Sequence, residues 1–213
     1  MILLFSCTAI PQVPVSEAPL HPPVEDEAPY RIIGHGAGNT EESLPDWVAR
    51  YIAGGIPGVE ALSRYGNRYV FIAVNSGANF TALSQWDAGF TIDQDFPQLV
   101  SLRVLDRFTG DGQRNPDRDY GRYFESAVRT AADTLYSGVR REAGFWLLKH
   151  YESGDDAGGP RDIYDFYILM STGKEEFQSQ LNQVLLDAAE GLTLTRDQTA
   201  AVNRLRESFY EGF

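Results

Sequence analysis

Asn115, Asp117 and Asp119 alternate in the way that oxygen ligands alternate in a calcium loop. In such a loop a glycine directly follows the third ligand and a bidentate acid closes the twelfth place. Here the glycine is Gly121 and the acid is Glu125, each one residue out of step. The stretch therefore predicts an exposed turn in which Asp119 caps a following helix, and no metal or other cofactor is expected. Asp93 and Asp95 are a carboxylate pair of the kind that can divide acid and base work, but no neighbour in sequence would push their pKa values apart. Asp95 reads instead as a helix start. The three histidines, His21, His35 and His150, show no metal-ligand spacing and no HExxH. His150 is expected on a strand with its ring half buried. Ser76, in Asn75-Ser76-Gly77, lacks the flanking glycine of a GxSxG nucleophile elbow. In the run RIIGHGAGN, from Arg31 to Asn39, the sixth place of a dinucleotide fingerprint is Asn39, so a flexible lead-in to the fold is the better reading. Ser171 to Glu175 fails as a Walker A loop in the same way, since Ile168 and Glu175 stand where a glycine and a hydroxyl are needed. No catalytic residue is expected.

The single cysteine belongs to a different pattern. Met1 to Ser6 is apolar and ends in a small residue directly before Cys7. Leu4 and Ser6 match the places that precede the cysteine in the lipobox of bacterial lipoproteins, where the thiol receives a diacylglycerol; Phe5 is bulkier than most versions. Residues 1–7 thus read as a signal-peptide remnant, with Leu4 and Ser6 at the cleavage site and Cys7 as the lipidated residue. Six residues are short of the roughly 7–15 that an apolar signal core needs, and an upstream start codon would supply the rest. The alternative is a free thiol at a frayed terminus. One cysteine in any case excludes an intrachain disulfide framework.

Between Thr8 and Tyr30 stand Pro11, Pro14, Pro19, Pro22, Pro23 and Pro29, six of the eleven prolines, with Glu17, Glu25, Asp26 and Glu27. Such a composition cannot bury a core, and residues 8–40 are read as a disordered Pro/Glu-rich tether. At about 3.1 Å per residue it would hold a domain some tens of ångströms from a membrane. Several acyl chains on Cys7 would supply the affinity that stable anchoring requires. Lys+Arg total 18 against Asp+Glu 30, a formal charge of −12, which disfavours nucleic acid as a partner. No apolar run approaches the roughly 18 residues of a membrane span.

Residues 41–213 read as a single α+β domain. Tyr69 to Val74 is a continuous apolar run, as in a strand buried on both faces. Asn79 predicts the cap of a helix carrying Phe80, Leu83 and Trp86, and Asp95 the cap of one carrying Phe96, Leu99, Val100, Val104 and Phe108. Tyr120, Phe124, Ala127, Val128, Ala131, Leu135 and Val139 trace a long helix, Tyr120 to Val139, that should cover the sheet. The runs Phe145 to Tyr151 and Ile163 to Met170 predict a long hairpin. Thr172 with Glu175, and Thr195 with Gln198, form capping boxes for two last helices, the second bearing Val202, Leu205 and Phe209. This order favours a small, mainly antiparallel sheet packed against several helices.

Pro45-Asp46-Trp47-Val48, the strand Tyr69 to Val74, the alanine-bearing long helix, and Ile163 to Met170 running into Lys174-Glu175-Glu176-Phe177 together resemble the LPP20-like envelope lipoproteins of bacteria, including their spirochaete-type members. The resemblance covers Pro45 to Ala189, with two extra helices between Asn79 and Phe108. It implies a non-enzymatic lipoprotein of the periplasm or outer envelope and brings no catalytic residues with it.

The expectation is a lipid-anchored domain facing the periplasm that acts by binding, as an assembly or scaffold protein. Its partners would be the membrane, through the anchor, and another envelope protein. Trp86, Trp146, Tyr151 and Tyr167 are the candidate contact residues. The rival readings are an envelope-polymer hydrolase using paired carboxylates and a small-molecule carrier with an apolar cavity between sheet and helices.

Overall fold

The computed structural model describes residues 30–36, 43–112, 118–152 and 159–190, with residues 195, 196, 199, 200 and 203 beyond them. Four antiparallel strands form one sheet: β1 (Tyr30–Gly36), β2 (Arg68–Gly77), β3 (Arg140–Tyr151) and β4 (Arg161–Gly173), in the spatial order β1-β3-β4-β2. The helices are α1 (Asp46–Glu60), α2 (Phe80–Gly89), α3 (Ile92–Gly112), α4 (Arg118–Asp133) and α5 (Lys174–Asp187). The protein is an α+β fold.

Strand parity builds two cores. Tyr69, Phe71 and Ala73 of β2, with Ile168 and Met170 of β4, meet Phe96, Val100 and Val104 of α3, Tyr123, Ala127 and Ala131 of α4, and Phe177, Leu181, Val184 and Leu185 of α5, with Ala188 just beyond it. Phe71 packs edge-on against Phe96 and Phe177, with centroids 4.7 Å and 5.3 Å apart. The alternate residues, Val70 and Ile72 of β2 with Tyr167 and Leu169 of β4, join Phe145 and Leu147 of β3 under α1, which contributes Trp47, Val48, Tyr51 and Val59. Helices on both faces explain the unbroken apolar run in β2.

Four local expectations are corrected. The segment assigned to the tether contains β1, whose Gly34 and Gly36 lie against β3; a Cβ on Gly36 would fall 3.0 Å from the Trp146 indole nitrogen. Close approach to Trp146, not flexibility, accounts for glycine there. The long helix ends at Asp133 rather than Val139. Tyr136 turns back into the core, Leu135 is 76% exposed, and Gly138 at φ +72° reverses the chain into β3. The helix expected from Asp95 begins at Ile92, and the Asp95 carboxylate accepts the Thr91 N–H at 2.6 Å from inside the first turn. Thr172 is a buried strand residue opposite Tyr69, so no capping box opens α5, whose cap position is Gly173. Asn79 does cap α2, accepting the Ala82 N–H at 3.1 Å. Val202, Leu205 and Phe209 lie outside the described residues.

Candidate functional site

Register brings together charges that are far apart in sequence. His35 of β1 pairs with Leu147 of β3, Leu147 with Asp165 of β4, and Asp165 with Ser76 of β2, so a single row crosses all four strands. Two residues further along β3, on the same face, stands Lys149. Its ammonium lies 2.8 Å from Asp165 Oδ2, and both side chains are only 7% exposed. Ser76 donates its hydroxyl to Asp165 Oδ1 at 2.6 Å, and Tyr167 donates to Oδ2 at 3.0 Å. The Tyr30 ring covers Lys149 Nζ at 4.1 Å from its centroid, a cation–π contact that ties the first residue of β1 to the cluster. Tyr51 of α1 closes the top, edge-on to Tyr167 at 5.7 Å.

The electrostatics follow from this packing. Burial pushes the Tyr51 hydroxyl above its ordinary range, the negative Asp165 adds to the rise, and Lys149 opposes it. Burial, followed by the Asp165 charge, raises Tyr167 much further. Asp165 thus accepts from one ammonium and two hydroxyls, an arrangement that holds an ion pair in place. Ser76, weighed as a hydrolase nucleophile, serves as a donor to that carboxylate.

A second constellation faces the opposite side of the sheet. Trp146 of β3, Tyr164 and Phe166 of β4, and Phe80 at the start of α2 form an aromatic group, with Phe80 at 5.3 Å from Trp146, 5.2 Å from Tyr164 and 5.4 Å from Phe166. Phe80 is 38% exposed, while Trp146 and Tyr164 are partly so. On β1, Ile32 and Ile33 are 36% and 48% exposed; Ile32 pairs with Lys149 and so lies on the face of the sheet opposite these rings. The arrangement is a partly open apolar surface with rings that have already lost side-chain freedom.

The expected contact residues separate accordingly. Trp146 belongs to this aromatic group. Trp86 packs on the α3 side of the core with Phe90 at 5.8 Å. Tyr151 and Tyr167 are buried, 5% and 4% exposed: Tyr167 lies in the core under α1, and Tyr151 is covered by the Tyr30 ring at 5.6 Å and the Arg161 guanidinium at 5.3 Å, so neither is a surface contact. Asp93 is exposed in the first turn of α3, and its partner Asp95 is engaged with Thr91, so this pair is two helix-start carboxylates. His150 is a partly buried strand residue whose Nδ1 lies 2.6 Å from Asp162. Asp119 falls inside the first turn of α4 rather than before it, so the expected cap position is wrong by the start of the helix at Arg118. Asn115 and Asp117 lie outside the described residues, as do Leu4, Ser6 and Cys7. Among the described residues no group of three acidic, histidine or cysteine side chains is placed to hold a metal ion. No helix among them is long and apolar enough to cross a membrane.

Sequence reasoning missed the Lys149–Asp165 pair. The available sign was parity: Phe145, Leu147, Lys149 and Tyr151 alternate on one side of β3, which puts one of only two lysines on an inward face. Comparison of the chain with protein-family models, with curated proteins and with solved structures found no match.

Proposed function

We propose that this chain is an envelope lipoprotein whose α+β body works by binding another envelope protein, in an assembly or scaffold role. Cys7 carries the acyl chains, the proline-rich segment after it spaces the body from the bilayer, and the body faces the periplasm. The lipobox at Leu4-Phe5-Ser6-Cys7 and the resemblance to LPP20-like lipoproteins support the anchor. The observation that carries the binding role is the partly open group of Phe80, Trp146 and Tyr164. Preorganised aromatic rings in a partly apolar surface are what protein interfaces concentrate at their centres.

The test has two arms in a bacterial host that processes lipoproteins. Metabolic labelling with an alkynyl fatty acid is expected to mark the wild-type chain and not Cys7→Ser; label on both, or on neither, overturns the anchor. A photo-crosslinking amino acid at position 80 is expected to trap one envelope protein in native cells, with capture lost in Trp146→Ala. Equal capture by a crosslinker placed at exposed Asp93, on α3, would overturn the aromatic surface as the contact.

A further inference from the structure

β2 lies at an edge of the sheet but has the composition of an interior strand. Every residue from Tyr69 to Val74 is apolar, and from Tyr69 to Gly77 there is no charge and no proline. Its register against β4 runs without a bulge from Arg68 to Gly77. Tyr69, Phe71 and Ala73 are buried in the core on one face, and Val70 and Ile72 in the core under α1 on the other. Edge strands are ordinarily kept short, bulged, charged or interrupted by proline, which holds other strands off. β1, at the opposite edge, fits that description, with seven residues, a bulge between Ile32 and Gly34, and Gly36 near its end. β2 has none of these devices.

One hydrogen bond shows which backbone groups of β2 point outward. Val70 gives its N–H to the Glu60 carboxylate at 3.1 Å, so the even-numbered residues direct their N–H and C=O groups away from β4. Ile72, Val74 and Ser76 follow the same parity. Among the described residues, their outward N–H and C=O groups have no partner. Glu60 therefore closes the edge at Val70, and the stretch from Ile72 to Ser76 is a template for another strand.

Two identical edges paired antiparallel are self-complementary, because a two-fold axis perpendicular to the sheet carries each strand onto the other. With the Val70 N–H already taken, the symmetric pairing that uses Ile72, Val74 and Ser76 together is centred on Val74. Val74 then faces Val74 of the second copy, and Ile72 of each copy faces Ser76 of the other. The overlap runs from Phe71 to Gly77, about 24 Å. The sheet and half of the layer on each face give it a depth of about 20 Å, so pairing buries about 500 Å² per copy and about 1,000 Å² in all, where specific interfaces begin. The formal charge of −12 on each chain opposes association, but none of it lies on the paired segment. We infer that β2 pairs with β2 of a second copy across a two-fold axis at Val74, joining two four-stranded sheets into one of eight strands. Because the axis is perpendicular to the sheet, the Phe80, Trp146 and Tyr164 groups of both copies open on the same side of the dimer.

Single cysteines placed in the Cys7→Ser chain test the register. Val74→Cys is expected to form an interchain disulfide under mild oxidation at least about tenfold faster than Ser76→Cys. Directly opposed, hydrogen-bonded residues stand about 5.5 Å apart at Cα, within reach of a disulfide, whereas the two copies of residue 76 would be about 14 Å apart. Ser76 is the more exposed of the two, so random collision would give the opposite order. Equal rates, or a faster Ser76→Cys, overturn the proposal. Sedimentation velocity gives a second readout. The Cys7→Ser chain is expected to dimerise with a dissociation constant below about 100 µM, and one that remains monomeric at about 500 µM overturns the proposal. Ser76→Pro removes an outward N–H that no bond within the sheet uses, so association should weaken at least about tenfold while the fold holds. The near-ultraviolet spectrum checks that fold, and an equally tight dimer in folded Ser76→Pro also overturns the proposal. If that variant unfolds, the cysteine pair decides.

Discussion

Removing Asp165 tests the account of the buried cluster most directly. In Asp165→Ala the Lys149 ammonium, 7% exposed in the native chain, loses the carboxylate that neutralises it at 2.8 Å. In Lys149→Met the carboxylate keeps the Ser76 and Tyr167 hydroxyls but loses its counter-charge. Breaking a buried pair from either side costs about 3–5 kcal/mol, since the remaining charge stays in a medium that solvates it poorly. The double variant Lys149→Met/Asp165→Leu has no charge left to strand. Ser76 is exposed and can turn to water, whereas the Tyr167 hydroxyl is orphaned, which costs about 1–3 kcal/mol. The double variant should therefore be more stable than either single variant, a non-additivity that only a direct interaction produces. Urea denaturation followed by circular dichroism gives the four stabilities, with a constant slope confirming that each unfolds in the same way. Single losses below about 1 kcal/mol, the size expected for a solvated surface pair, would refute the reasoning. So would a double loss equal to the sum of the singles.

Tyr51 and Tyr167 have hydroxyls raised by burial and by Asp165, so the native chain holds those protons after the unfolded chain has released them. Stability should be complete below about pH 10 and fall as pH rises beyond it, and a urea midpoint that stays flat from pH 9 to 11.5 would contradict this. Burial also raises Glu60, against the lowering effect of the Val70 N–H that it accepts at 3.1 Å. Its contribution is therefore greatest below its unfolded pKa and is lost as pH rises through the folded one; Glu60→Gln, which keeps an acceptor for Val70, should gain on the wild type between pH 4 and 7 in the same assay. A Cβ on Gly58 would meet the Arg50 carbonyl oxygen at 2.5 Å, whereas one on Gly89 meets nothing within 4 Å. Gly58→Ala is expected to cost about 1–3 kcal/mol and Gly89→Ala less than about 0.5 kcal/mol in thermal denaturation. Asn79→Ala, which removes the cap on Ala82, should cost about 1 kcal/mol.

The sequence was most legible where one physical cause dominates. A run apolar at every position, Tyr69 to Val74, meant two buried faces, and the structure places helices on both. Asn79 before Phe80 meant a cap because an amide oxygen at that spacing reaches the third N–H. Legibility failed where two causes compete. Gly34 and Gly36 have low strand propensity, yet β1 forms because its backbone pairs with β3 and leaves room for Trp146. Leu135 and Val139 continue a helical period in sequence, but Tyr136 has more area to bury, and its turn toward Phe96 and Phe177 ends the helix. Thr172 carries a capping pattern while sitting at a buried ladder position, and the ladder wins. The aromatic group was half legible: Trp146 stood out, but its association with Phe80 depends on where α2 crosses the end of β4. The fate of Cys7 is a matter of motif alone and gains nothing from the fold.

The position of the buried pair also bears on how the β3–β4 hairpin finds its register. Short loops of two to five residues fix register through turn geometry. The loop here runs from Glu152 to Pro160, nine residues, longer than those. A slip of one residue would turn every inward side chain of β3 outward. Phe145, Leu147 and Tyr151 would exchange places with Gly144, Trp146, Leu148 and His150, a swap of apolar for mostly apolar residues that hydrophobic burial discriminates weakly. Lys149 makes the difference sharp. Slipped, it leaves Asp165 buried under α1 with no cation and places its own ammonium on the face that carries Trp146 and Phe166. A buried ion pair contributes little net stability against an apolar substitute, but it penalises the wrong pairing by the full cost of a stranded charge. Tyr30 extends the same control to β1, because its ring finds Lys149 in only one register, and the glycines of β1 fit under Trp146 in that register as well.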